Sequence, residues 1–212
     1  GTAREIALAS TFDVPVHICH VSTAASAALI RDAKLRGVQV TAETAPHYLM
    51  LTEKELQRHD ADYRMNPPLR TEEDRLAIVE AVMDGTIDAI ATDHAPHSAE
   101  EKADFITAPN GSIGMETSLA VGITALVKDG CLDLSQLIER MSVNPAYILG
   151  INAGTLNVGA PADVVLFDEN EEWTVDETKL HGKSRNTPFK DLTLTGKVKM
   201  TICRGKIVYT DE

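Results

Sequence analysis

The residues best suited to chemistry lie where apolar runs end. His20 closes VPVHICHV (Val14 to Val21) but for one residue, and Asp93 and His94 follow directly on IDAIAT (Ile87 to Thr92). In a barrel of parallel strands the loops beyond the C-terminal strand ends form the active face, so a histidine and an aspartate there stand where working groups belong. Imidazole nitrogen and carboxylate oxygen both suit Zn²⁺, and a catalytic zinc keeps one position for a water whose pKa it lowers to ~7. Two ligands do not complete such a site. An Asp after a strand is also a common cap, and a core histidine is ordinarily a hydrogen-bonded structural residue, which is how His17 reads in mid-strand. Spacing alone leaves both readings of His20 and Asp93 open. The segment ATDHAPH (Ala91 to His97) gathers a carboxylate, two imidazoles and a proline, a density of titratable groups that folding rarely requires.

The elements that must position these groups alternate. The β-branched run from Val14 to Val21 is followed by Ser22 as an N-cap and by an Ala/Leu-rich stretch that stops at Gly37, so it reads as strand then helix. A second strand begins over Val38 to Thr41. After a polar segment, Thr71 with Asp74 predicts a capping box ahead of Leu76, Val79 and Met83, with Gly85 as the stop. Ile87 to Thr92 is a third buried-type strand, and helical patterns return over Thr117 to Val127 and Leu134 to Met141. Strands alternating with helices predict an α/β fold with a parallel sheet or barrel. Beyond Asn144-Pro145 the texture changes. From Gly154 the period is mostly two, through DVVLF (Asp163 to Phe167) and KVKMTIC (Lys197 to Cys203), with Arg204-Gly205 as a tight turn into Lys206 to Tyr209. The expected division is residues 1–152 as barrel and 153–212 as a small β domain.

Composition narrows the function classes. With 20 Lys+Arg against 32 Asp+Glu the formal charge is -12, which argues against a nucleic-acid or anionic-membrane partner. No apolar run reaches the ~20 residues of a membrane span and no basic-then-apolar leader opens the sequence, so a cytoplasmic protein is expected. Cys19, Cys131 and Cys203 form no CxxC pair and predict neither a zinc knuckle nor a disulfide framework. Gly1 in place of Met, and TAREIALASTF without a helix start signal, suggest a chain that continues a longer one.

The wording of several segments goes further. DAIATDHAPHSAEEK (Asp88 to Lys102) resembles the strand-eight signature of the bacterial dihydroorotases. The likeness extends through HICHVSTAAS (His17 to Ser26), VTAETAPHYLMLTE (Val40 to Glu53), MNPPLR (Met65 to Arg70) and KSRNTPF (Lys183 to Phe189), nearly the whole chain. GTLNVGAPADVVLFD (Gly154 to Asp168) is similar to the start of the small β domain of many amidohydrolases, and so speaks for the superfamily and not the substrate.

The resemblance implies the last strands, about six to eight, of a (β/α)8 barrel followed by part of a β-sandwich. It implies His20 as a metal ligand and Asp93 as both metal ligand and proton shuttle. Asn66, His97 and the Asn110-Gly111 pair would contact substrate. One or two Zn²⁺ ions per complete site are implied, with an HxH pair and further ligands expected upstream of Gly1, since no HxH occurs here. His47 reads as structural or supporting, and His59 and His181 as surface residues. The implied activity interconverts N-carbamoyl-L-aspartate and L-dihydroorotate, and this chain alone should be inactive. The implied partners are the N-terminal half of the same protein, a second copy in a homodimer, and aspartate carbamoyltransferase. Two alternatives stay open: another cyclic amidase, such as an allantoinase or dihydropyrimidinase, and a metal-free scaffold subunit for aspartate carbamoyltransferase.

Overall fold

A computed structural model describes residues 1–211. The chain opens with helix α1 (Thr2–Phe12), strand β1 (Val16–Ile18), helix α2 (Ala24–Leu35) and strand β2 (Val40–Thr44). Short helix α3 (Pro46–Met50) and two 3₁₀ turns (Glu53–Arg58 and Ala61–Tyr63) lead to helix α4 (Glu72–Met83) and strand β3 (Ala89–Ile90). The three strands form one parallel sheet in the order β1-β2-β3, with Val16 opposite Val40 and Thr44 opposite Ile90. Alternation of strand and helix thus produced the parallel sheet, but the strands are shorter than the apolar runs that announced them. At His20 and Asp93 the backbone turns to positive φ, outside the region that a regular strand of non-glycine residues uses.

Local signals held in part. Thr23, not Ser22, caps α2 by accepting from the Ser26 N–H, and Arg36 and Gly37 end it. Thr71 caps α4 as the sequence implies, and Asp74 accepts the Thr71 hydroxyl at 3.0 Å with one carboxylate oxygen and the Ala24 N–H at 2.9 Å with the other, so the cap of one helix braces the start of another. The buried face of α4 is Ile78, Val79, Ala81 and Val82, whereas Leu76 and Met83 are exposed. A half-buried Lys34–Asp88 pair closes this layer: Lys34 Nζ lies 2.7 Å from both Asp88 oxygens, and Asp88 also accepts the Ala42 N–H at 2.8 Å.

Helix α5 (Ser118–Gly122) runs into a π-helical turn (Ile123–Val127), and α6 (Leu134–Ile138) into another (Glu139–Val143). Helix α7 (Asn144–Leu149) carries Pro145 in its first turn, where a missing N–H costs nothing, so the change of texture after Asn144-Pro145 begins with one more short helix. The apolar faces of these helices meet the parallel sheet around Ile30, Leu49, Ile87, Ile123 and Leu126.

The second sheet is antiparallel, in the order β4 (Val164–Thr174), β5 (Thr193–Cys203), β6 (Lys206–Thr210). Arg204 and Gly205 both take positive φ in the β5–β6 turn, the conformation whose twist matches a hairpin. The connector between β4 and β5 does not stay with its own sheet. Phe189, 2% exposed, packs with Tyr48, Tyr63, Val121, Val175 and Leu194 in a second core that fastens the two sheets together. Truncating such an aromatic to alanine costs about 3–5 kcal/mol. Cys19, Cys131 and Cys203 are free thiols, and among the described residues no helix is long and apolar enough to cross a membrane.

Candidate functional site

The ends of β1, β2 and β3 converge on three side chains. His20 follows β1, Glu43 is in β2, and Asp93 follows β3. His20 Nε2 lies 3.6 Å from Asp93 Oδ1. A direct hydrogen bond would be shorter, about 2.9 Å, whereas two ligands each about 2.1 Å from a shared tetrahedral ion stand about 3.4 Å apart. The spacing therefore fits two groups that share a cation. Glu43 Oε1 accepts the His20 N–H at 2.9 Å and approaches His20 Nδ1 to 2.8 Å. That second approach is not aligned as a hydrogen bond, so His20 Nδ1 and Glu43 Oε2 are both buried without a partner. Orphaned buried nitrogen and carboxylate oxygen are what a cation would satisfy.

Backbone strain marks the same place. His20 has φ 56° and Asp93 φ 47°, in the left-handed region that costs a non-glycine residue of order 1 kcal/mol. The other non-glycine residues with positive φ, Asp13, His59, Asp191 and Arg204, lie at helix ends and turns where αL residues are expected. Burial raises the Asp93 carboxyl above its ordinary range, with His20 acting in the opposite sense. Burial likewise raises Glu43, offset by the His20 N–H and imidazole.

Beneath this cluster, His17, Cys19 and Glu43 each offer a ligand atom within 4.8 Å of the others. His17 Nδ1 pairs with Thr41 Oγ1 at 2.8 Å, which leaves Nε2 as its free nitrogen. The mid-strand histidine expected to be structural is therefore hydrogen-bonded as such, and it also stands among groups able to hold a cation. His47 is 2% exposed with Nε2 unpartnered, and burial pushes its pKa down to about 3.

The two imidazoles of ATDHAPH part company. His94 Nδ1 accepts the Gly114 N–H at 3.1 Å and its backbone bridges to Ser112, so it serves the loop. His97 is half-buried, with Nε2 3.1 Å from the Asn110 carbonyl and Nδ1 3.6 Å from Glu101. Gly111 donates to the Arg64 carbonyl at 2.7 Å. His97, Asn110 and Gly111 thus form one cluster. Asn66 is exposed, two residues along from Arg64, and no hydrogen bond of its side chain ties it to the others. His59 and His181 are exposed, although His181 Nδ1 lies 2.9 Å from Glu116. Glu43 was not among the residues singled out from sequence, although an acid one residue from the end of VTAET stands near the same strand end that selected His20 and Asp93.

A family profile described as the amidohydrolase family matches residues 8–208. Curated relatives include a dihydroorotase of Acetivibrio thermocellus, 50% identical over 211 residues, which cover 99% of this chain and 50% of the relative. A dihydroorotase of Geotalea daltonii is 51% identical over 210 residues, 99% of this chain and 49% of its own length. The chain spans about half the length of these relatives. Among solved structures, an L-hydantoinase (dihydropyrimidinase) from Arthrobacter aurescens superimposes with TM-score 0.93 at 31% identity, over 99% of this chain and 48% of that one. A dihydropyrimidinase from Brevibacillus agri gives TM-score 0.93 at 30% identity, again over 99% and 48%.

Proposed function

The chain belongs to the amidohydrolase family, and we propose that it forms part of a dihydroorotase, which interconverts N-carbamoyl-L-aspartate and L-dihydroorotate. The observation that carries this reading is identity of about one half to dihydroorotases along nearly the whole chain, against 31% to the hydantoinase structure. Three parallel strands cannot close a barrel, so we place them as its last three, with the remaining ligands on other strands.

His20 and Asp93 would hold a zinc ion, for which the 3.6 Å spacing of His20 Nε2 from Asp93 Oδ1 is suited. The ion supplies Lewis-acid polarisation of the ring carbonyl and a more acidic water at neutral pH. Asp93 accepts the proton of the attacking water as the C–O bond forms, then returns it to the ring nitrogen as the C–N bond breaks. Ring closure is the reverse. Glu43 holds the His20 backbone and sets its carboxylate 2.8 Å from the imidazole Nδ1. His97, with Asn110 and Gly111, faces the small anionic ring.

The test is a substrate panel on the purified full-length protein: dihydroorotate, hydantoin, dihydrouracil and allantoin. Dihydroorotate should be preferred by roughly 100-fold or more in kcat/KM, the scale of discrimination that charge-assisted contacts supply. Faster hydrolysis of an uncharged ring would defeat the assignment.

A further inference from the structure

The loop that carries His97 and the Asn110-Gly111 pair is held at its neck by a residue from the connector of the second sheet. Asn186 lies in the connector between β4 and β5 and is 4% exposed. Its Oδ1 accepts the His97 N–H at 3.1 Å, and its Nδ2 donates to the Ala95 carbonyl at 3.0 Å and the Gly111 carbonyl at 3.2 Å. Its own carbonyl accepts the Ile113 N–H at 3.0 Å. The side chain therefore uses an acceptor on one limb of the loop and donors on both, an arrangement that only an amide satisfies. Rotating the amide would set its oxygen against two carbonyls and its NH₂ against an N–H, so the orientation is fixed by the partners.

The limbs approach closely here. Ala95 donates to the Ser112 carbonyl at 2.8 Å. A Cβ added at Gly111, whose φ is 119°, would stand 2.5 Å from the Ala95 Cβ. Farther out, Lys102 donates to the Ala61 and Pro109 carbonyls, and Arg64 to those of Phe105 and Ile106. These long side chains secure the tip. None of them touches the backbone of His97.

We infer that Asn186 is a positioning residue: it fixes the backbone of His97 and Gly111 so that the substrate-facing side of the loop is preformed. It is in turn held by the neighbouring Phe189 anchor in the core between the sheets, so the second sheet sets the geometry of the first sheet's active face. The inference rests on the dihydroorotase reading only for the identity of the substrate.

The experiment compares the full-length protein with Asn186→Ala and Asn186→Asp. Aspartate keeps an acceptor for the His97 N–H but opposes a carboxylate to the Ala95 and Gly111 carbonyls. In both variants amide exchange at Ala95, His97 and Gly111 should rise at least about tenfold, while amides in Val40–Thr44 keep their protection and metal content is unchanged. KM for dihydroorotate should rise about tenfold with kcat within about threefold, because the chemistry at Asp93 is untouched. Unchanged exchange at the neck, or loss of protection throughout the strands, overturns the inference, and so does local loosening with an unaltered KM. A wild-type protein that does not turn over dihydroorotate, with loosening still confined to the neck, upholds the lock and defeats the substrate reading instead.

Discussion

Glu43 Oε1 stands 2.9 Å from the backbone nitrogen of His20 and 2.8 Å from its imidazole Nδ1, so one buried carboxylate anchors the backbone of this histidine and sets its charge against the ring. Glu43→Gln can still accept the backbone N–H but withdraws the charge. In the full-length protein the zinc affinity should fall about 10- to 100-fold, as for other groups that orient a metal-binding histidine. Competition with a chelator measures it, and affinity equal to wild type would remove Glu43 from the site.

Asp93 is the only carboxylate in ATDHAPH and lies 3.6 Å from His20. Asp93→Asn replaces a proton acceptor by an amide of the same shape. Turnover in the full-length enzyme should drop by about 10²–10⁴, with the fold retained. A kcat near wild type, measured alongside circular dichroism to verify folding, would exclude the assigned proton transfer.

His97 is held with its ring beside the Asn110 carbonyl and Glu101. His97→Ala should weaken use of dihydroorotate more than use of an uncharged cyclic amide, by roughly tenfold, since only the carboxylate substrate loses a charge-assisted contact. Equal losses in kcat/KM for both rings would mean that His97 does not read the carboxylate.

Asp62 gives a pH dependence away from the site. Burial first, and then Asp60, raise its pKa to about 6, with Lys102 pulling the other way. The unfolded chain titrates near the ordinary aspartate value, about 3.9. Between roughly pH 4 and 6 the folded state binds more protons than the unfolded one, so stability falls as pH rises through this window. The full penalty is present above it. Because the side chain is only half-buried, solvent screening reduces it to about 1 kcal/mol. Asp62→Asn should therefore raise the urea midpoint at pH 7.5 and leave it nearly unchanged at pH 4. A variant less stable at pH 7.5 would show that the charged form is favoured in the fold.

Short-range chemistry was what the sequence by itself could determine. A histidine and an aspartate at the ends of β-branched runs, and helices between those runs, defined a parallel α/β layer and put His20 and Asp93 on one face, because strand direction and side-chain periodicity are local properties. The wording of ATDHAPH and MNPPLR pointed to the family for the same reason: functional groups clustered in one loop are visible as a string. The tertiary structure alone decided the rest. Val79 faces the core while Leu76 and Met83 face water, a phase that only the packing of α4 against its neighbours selects. Pro145 stands in the first turn of a short helix that continues from a π-helical turn. Glu43 matters through its contact with a residue 23 positions away, and Asn186 through contacts 75 to 91 positions away. No periodicity encodes such pairings, because burial of the apolar faces of both sheets brings those backbones within hydrogen-bonding distance.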